Sequence, residues 1–383
     1  MEIGPGVVVS QENANSNNQL EREAILRLSL VHGVGPRLFG ELLACLGTAE
    51  GVLGASSNQL KSVPGVGSKL AEEISNANQI DLDTIYQDCQ KHSIEILDSR
   101  SDRYPKLLKQ IYDPPNILYQ HGETLPQDEI AIAVVGTRHA SNYGKLTAER
   151  LARGLAMSAI TVVSGLARGI DVTAHRAALD AGGRTLAVLG SGLLDVYPRE
   201  HTELCLEVRK SGAVLSELPP RSPPRSGTFP QRNRIISGMS LGVVVVEAAE
   251  RSGALISARM AMEQGREVFA VPGRVDSRMS HGCHQLIRDG AKLVETVDDI
   301  LEELGPLSVP TVNADGMELR HPAELKLTSQ EQMILQSIGE ETTQLDAVVA
   351  QTGLPVARVL STISVLEIRR LIRRVSGTSF IRF

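Results

Sequence analysis

Three times in the middle of the chain, a short apolar run breaks at glycine or at a polar loop and gives way to a helical stretch. Ile130 to Val135 breaks at Gly136-Thr137-Arg138 and is followed by a helical stretch from about Tyr143 to Met157. Thr161 to Ser164 breaks at Gly165, and Leu166-Ala167-Arg168-Gly169-Ile170-Asp171 leads into a helix through Ala181. Val243 to Glu247 precedes the loop Arg251-Ser252-Gly253. A helix start presents free N–H groups and the positive end of its dipole, so each turn is a ready anion site. Arg138 adds a planar fork that matches phosphate. In an open parallel sheet such turns crowd the carboxyl ends of the strands, where ligands bind.

The alternation continues with apolar runs at Thr185 to Leu189, Ala213 to Leu215 and Val268 to Val271, and helical stretches at Glu200 to Lys210 and Leu255 to Gln264. Strands alternating with helices predict a doubly wound, Rossmann-like parallel sheet. Composition agrees: aromatic residues make up 3% and Trp is absent, so the core is aliphatic, as suits a sheet covered by helices. With 383 residues, 42% of them hydrophobic, the chain has material for two or three domains. Its net charge of −6 confines any nucleic-acid site to a local patch. No apolar run approaches the roughly 18 residues of a membrane span. The opening MEIGPGVVVSQENANSNNQ reads as a disordered tail and not as a signal peptide. Cys45, Cys89, Cys205 and Cys283 are scattered, which fits a reduced, cytoplasmic protein.

The flanks differ from the middle. From about Leu20 to Gln79 the pattern is helical, with similar breaks at Val31-His32-Gly33-Val34-Gly35 and Val63-Pro64-Gly65-Val66-Gly67. Each resembles a helix-hairpin-helix turn, in which Gly-x-Gly brings backbone N–H groups to a phosphate. The alternative is a tight turn in a small bundle. Pro306, Pro310, Gly316 and Pro322 mark a linker. Beyond it, Thr328 with Glu331 forms a capping box, Thr343 and Pro355 open further helices, and Leu371 to Phe383 makes a hairpin turning at Ser376-Gly377. This resembles a winged helix, and Arg358 to Phe383 holds six Arg against one Glu. The expected layout is a disordered tail over 1–19, a helix-hairpin-helix or SAM-like module over 20–80, a Rossmann-like domain over 81–302, a linker over 303–327 and a winged helix over 328–383.

Among chemistry-bearing motifs, several are missing. There is no P-loop, no GxSxG elbow, and Gly190-Ser191-Gly192 lacks the third glycine and the helix of a dinucleotide fingerprint. His281, Cys283 and His284 lack a second cluster, so a loop without metal is expected there. Asp171 and His175, four apart on a helix, read as a structural pair at the helix start. What remains is a basic, partly aromatic surface. Residues 221–234 carry Arg221, Arg225, Arg232 and Arg234 with no acid, and Phe229 stands among them. Arginine neutralises phosphate and an aromatic face stacks an unpaired base. Arg225 and Phe229 sit in the irregular, proline-rich part. Arg232, Asn233 and Arg234 run into the apolar Ile235-Ile236, and for these two arginines ligand contact and internal salt bridges both stay open. Arg168 and Arg199, each just past a strand end, extend the positive path. The candidate binding set is Gly136, Thr137, Arg138, Ser164, Gly165, Arg168, Gly169, Arg199, Arg225, Phe229, Arg232, Asn233, Arg234, Ser252 and Gly253. No catalytic residue, metal or cofactor is assigned.

VVGTR, SGLARGIDVTAH, VLGSGLLDVYP, LSELPP, FPQRNRIISG, VVVVEAAERSGALISA, VFAVPG and GCHQLIRDGAKLV occur here in one order. In these the chain resembles the DNA-processing protein A (DprA/Smf) family, densely over about Tyr104 to Leu301. The resemblance implies a cytoplasmic homodimer that binds single-stranded DNA and loads the RecA recombinase onto it during natural transformation, without enzymatic turnover. It also implies a DNA pocket using Arg138, Arg199, Arg225 and Phe229. Two departures stand out: Ser226 occupies a place where many relatives carry Lys, with Arg225 beside it, and His284 replaces a usual Asn.

Two other readings compete with a binding protein. One is a nucleotide phosphoribohydrolase-like enzyme on the same fold, for which Glu247 and Glu250 are the carboxylates available. The other is a sequence-specific regulator acting through the winged helix.

Overall fold

The computed structural model describes residues 19–304, 311–312, 318–319, 327–339, 342–368, 371–376 and 378–382. The expected N-terminal tail, most of the linker and the Gly377 turn lie outside the described residues.

Among the described residues nine strands form the central sheet: β1 (Ile94–Asp98), β2 (Ile117–Gly122), β3 (Ala131–Gly136), β4 (Thr161–Ser164), β5 (Thr185–Val188), β6 (Ala213–Ser216), β7 (Gly242–Val246), β8 (Glu267–Ala270) and β9 (Lys292–Leu293). Their order is β1-β2-β6-β5-β4-β3-β7-β8-β9. From β6 to β9 all neighbours are parallel. β2 pairs antiparallel with β6 and β1 with β2. The chain winds outward from β3 through β6, then returns to the other side of β3 and winds outward again from β7. This is the doubly wound sheet expected, with β3 and β7 meeting where the winding reverses.

Both faces are buried, which explains the unbroken apolar runs. Along β3, Ala131, Ala133 and Val135 join one core while Ile132 and Val134 join the other. Helices Asn142–Met157, Ile170–Asp180 and Val297–Leu304 cover the second of these faces. Helices Thr228–Gly238, Gly253–Glu263 and His281–Arg288 cover the first. Val297–Leu304 runs two residues past the expected linker start. His281–Arg288 is a helix and not the loop expected there; Cys283 and Leu286 on its buried side explain the difference.

The N-terminal helices do not form a separate core. Leu28, Leu42, Leu60 and Ile74 join one cluster with Tyr119, Ala187 and Leu204 of the sheet region. Arg221 of the loop after β6 donates two bonds to Asp88 of helix Asp83–His92, which follows this module. The two glycine turns are related within it. Gly33 (φ +94°) lies against Leu70 of the second hairpin, and Gly65 (φ +90°) against Leu38 of the first. Each left-handed turn thus packs on its counterpart's helix, and any side chain at either position would be strained.

The C-terminal part has its own core of Ile334, Val348, Val359, Leu366 and Phe380. Thr328 and Glu331 form the expected capping box on helix Ser329–Gln336. Strands Ile372–Ser376 and Ser379–Arg382 make the wing. Thr343 opens a short strand before helix Leu345–Thr352 instead of the helix itself, because Thr343–Gln344 pairs with Ser379–Phe380. Among the described residues no single helix is long and apolar enough to cross a membrane.

Candidate nucleic-acid interface

A cavity of about 690 Å³ opens at the carboxyl ends of β3 and β7, where the winding reverses. Three helix starts surround this point, and two of them are already filled by the protein's own carboxylates. At Asn142–Met157, Ser141 caps Gly144 N (3.1 Å), and the Glu247 carboxylate accepts from Ser141 N (2.9 Å) and from its hydroxyl. At Ile170–Asp180, the buried Asp171 accepts from Gly165 N (3.1 Å) and Ala167 N (3.4 Å). The anion sites expected at the first two turns are therefore occupied internally. The third helix, Gly253–Glu263, has only the Ser252 hydroxyl on Ala254 N (3.3 Å) and no acid in its first turn. Ser252, Gly253 and Ala254 line the cavity.

Arg138 is exposed at the cavity wall and makes no hydrogen bond or ion pair among the described residues. Its guanidinium carbon lies 5.5 Å from the centre of the Phe229 ring. Phe229 is in turn 5.6 Å from Tyr197, tilted by 55°. The three side chains make a cation–aromatic wall, an arrangement that favours stacked bases beside phosphate. Phe229 belongs to the first turn of helix Thr228–Gly238 and not to an irregular stretch. The Thr228 hydroxyl donates to Gly190 O and fixes this turn. Arg225, exposed on the preceding loop, also lines the cavity, and its guanidinium has no partner among the described residues. Asn233 bridges the walls by donating to Gly253 O (3.3 Å).

Other candidates turn inward, space the backbone or lie away from the cavity. Ser164 is fully buried and donates to Val134 O (2.6 Å). Thr137 is buried, its hydroxyl taken by His139 N (3.2 Å). Arg234 donates twice to Glu217 and lies 3.3 Å from Asp113. Arg232 touches the cavity but is only 6% exposed, and it donates to Gly165 O (2.7 Å) and Val188 O. Arg234 makes internal salt bridges, whereas Arg232 is held by backbone carbonyls at the cavity wall. Burial pushes the Arg232 guanidinium down to about 10, with Asp171 working against that shift, so it stays charged at neutral pH. Gly165 has no room for a side chain, since a Cβ would lie 1.9 Å from Arg232 Nη1. Gly136 and Gly169 are likewise spacers, against Val246 O and Thr137 O. Arg168 pairs with Glu200 and, with the exposed Arg199, lies outside the cavity lining.

Two of the polar and aromatic lining residues were not singled out from the sequence. Tyr197 precedes Pro198-Arg199, and with so few aromatics in the chain its place in that turn was a usable signal. Ser257 carried none: it is 2% exposed, lines the cavity, and its hydroxyl has no partner among the described residues.

Asp171 and His175 do not pair. His175 Nδ1 meets Thr185 Oγ1 at 2.7 Å, and burial pushes its imidazole down to about 3. The unfolded chain binds this proton near 6.5 and the folded one does not, so stability is lost as pH falls below about 6.5. The slope is at most about 1.4 kcal/mol per pH unit. We expect His175→Gln to remove this component, seen as a smaller difference between urea midpoints at about pH 7 and about pH 5.

His284 Nε2 meets Gly273 O at 3.0 Å, a structural tie to the loop after β8. Among the described residues no three His, Cys, Asp or Glu side chains converge as metal ligands. Of the carboxylates that a glycosidic-bond reaction would use, Glu247 accepts from the Ser141 N–H and hydroxyl, and Glu250 lies on the surface 3.7 Å from His281.

Residues 95–305 match the family described as DNA recombination-mediator protein A, and residues 318–378 match its winged-helix domain. Protein Smf of Escherichia coli K12 is 41% identical over 285 residues, covering 74% of this chain and 76% of that one. The DNA processing protein A structure from Streptococcus pneumoniae aligns with a TM-score of 0.65 and 37% identity, over 73% of this chain and 96% of that one. A Helicobacter pylori structure, described for its single-stranded DNA binding mode, aligns with a TM-score of 0.50 and 30% identity, over 55% and 95% of the two chains. The chain belongs to the DNA recombination-mediator protein A (DprA/Smf) family.

Proposed function

We propose that this protein binds single-stranded DNA in the cavity at the β3–β7 reversal and mediates loading of RecA onto that strand in natural transformation. The observation that carries the binding reading is Arg138, an unpaired guanidinium beside the Phe229 and Tyr197 rings at the mouth of the cavity. Phosphate is drawn to Arg138, Arg225 and the open start of helix Gly253–Glu263, while unstacked bases meet the rings. The family's DNA-processing role and the single-strand binding of the Helicobacter pylori relative support the reading.

The rings serve only unpaired bases, each stacking contact contributing about 1–3 kcal/mol. Single strands are therefore expected to bind at least about tenfold more tightly than duplex of equal length at matched salt. Titration against both forms at several salt concentrations checks this, and equal affinities would remove the cavity assignment. Incubation with nucleoside monophosphates, followed by a search for free base, tests the hydrolase alternative. RecA loading is tested by whether the protein speeds filament formation on strands precovered by a single-strand binding protein.

We propose further that the protein is a two-fold dimer held by its Rossmann-like part. Leu286 faces the core, but Met262 and Leu293 on neighbouring elements remain exposed, and Leu255 and Ile287 are half-buried. The dimer is expected to survive removal of residues 328–383. A monomeric truncation at micromolar concentration in sedimentation would count against it.

A further inference from the structure

A second hollow, of about 580 Å³, lies across the β3–β7 reversal from the cavity. The same two loops border both. Gly136 and Arg138 line the cavity while Ser141 and Tyr143 line the hollow, and the segment after β7 gives Ser252 to one and Glu247 to the other. We infer that this hollow is a second nucleobase subsite for the same single strand, selective for bases that carry an exocyclic amino group. The inference rests on the single-strand reading of the cavity.

Tyr143 is 50% exposed, yet it is held in place by donating its hydroxyl to Pro272 O (2.7 Å). A ring that is exposed and already immobilised offers a stacking surface with little rotamer entropy left to lose. Beside it, Ser280 is 5% exposed, lines the hollow, and its hydroxyl has no partner among the described residues. A side chain at Gly273 would collide with that hydroxyl (2.2 Å), so the glycine keeps the Ser280 oxygen open. Glu247 completes the floor. Its two oxygens accept from Ser141, and an ionised carboxylate has roughly four lone-pair sites, so acceptor capacity remains. A carboxylate repels phosphate and accepts from amino groups such as cytosine N4. The hollow therefore takes a base and leaves the backbone outside, where the exposed Arg274, bonded to Asp276, stands at its edge. Thymine offers Glu247 only its N3–H, where cytosine and adenine offer an exocyclic amino group.

The test is binding of a trinucleotide and of a mixed A/C dodecamer to the full chain, as wild type, Tyr143→Ala, Tyr143→Phe and Ser280→Ala. Tyr143→Ala should weaken the dodecamer roughly five- to hundredfold, as for loss of one stacked base, and leave the trinucleotide, which the cavity alone holds, unchanged. Retained trinucleotide binding shows that this variant is folded. Tyr143→Phe keeps the stacking ring but loses the tie to Pro272 O, so it should lower dodecamer affinity less than Tyr143→Ala does, and Ser280→Ala should lower it severalfold. The wild type should prefer the A/C dodecamer over oligothymidine, and Tyr143→Ala should lose most of that preference. A dodecamer bound equally by wild type and Tyr143→Ala, or an equal loss on both lengths, would overturn the second subsite while leaving the cavity reading intact. A wild-type protein that binds neither oligonucleotide would overturn both.

Discussion

Replacing Arg138 with Ala is expected to lower single-strand affinity by tenfold or more while leaving the melting temperature unchanged. A hydrogen bond to a charged group contributes about 1.5–3 kcal/mol, and among the described residues Arg138 makes no hydrogen bond or ion pair that its loss would break, only the contact with the Phe229 ring. Asp171, the carboxylate nearest in kind, is already satisfied by Gly165 N and Ala167 N and faces Arg232. The salt dependence should shrink as well, by about 0.7 in the slope of log affinity against log salt for one lost phosphate contact. Arg138→Lys should recover only part of the loss, because a point charge does not replace a planar fork. A folded Arg138→Ala protein with wild-type affinity would remove Arg138 from the site, and the proposed cavity with it.

Arg232→Ala should do the reverse. Its guanidinium bridges Gly165 O and Val188 O at the ends of β4 and β5, and its charge offsets the buried Asp171. Removing it takes away the main opposite charge acting on the buried Asp171 carboxylate, and breaking a buried charge pair costs about 3–5 kcal/mol. Urea unfolding should show that loss. A double-mutant cycle with Asp171→Ala should show coupling of about 0.5–3 kcal/mol, since each group's cost depends on the other being present. Additive losses would show that the two do not act as a pair. Measured together, Arg138→Ala and Arg232→Ala separate binding from stability within one basic wall.

That separation was not available from residue types alone. The strand–glycine–helix repeats made the doubly wound sheet readable, because a strand buried on both faces leaves an unbroken apolar run. Arg138 was readable too, since a charge directly after such a run has nowhere to go but the carboxyl edge of the sheet. Arg232 and Arg234 were not. Whether an arginine in a helix faces solvent or carbonyl groups depends on which strand ends lie beneath it, and that follows from sheet order. Helix His281–Arg288 escaped because its apolar positions are few and its polar ones resemble a metal-binding loop. Ser257 escaped because a serine inside a helix looks the same whether its hydroxyl bonds backward or faces a cavity.

Glu247 and Asp171, by filling two of the three helix starts, also bear on competition. Any compartment that holds DNA holds free nucleotides, each able to offer a phosphate to a waiting cluster of N–H groups. In this chain those places are closed, and a lone phosphate meets one open helix start and a few scattered guanidinium groups. A strand is different, because once one nucleotide is seated the next contacts form intramolecularly, at effective concentrations of the order of millimolar. On the single-strand reading, the internal carboxylates make the protein a poor receptor for monomers and leave it available to polymer, a filter set by chain length and not by chemistry.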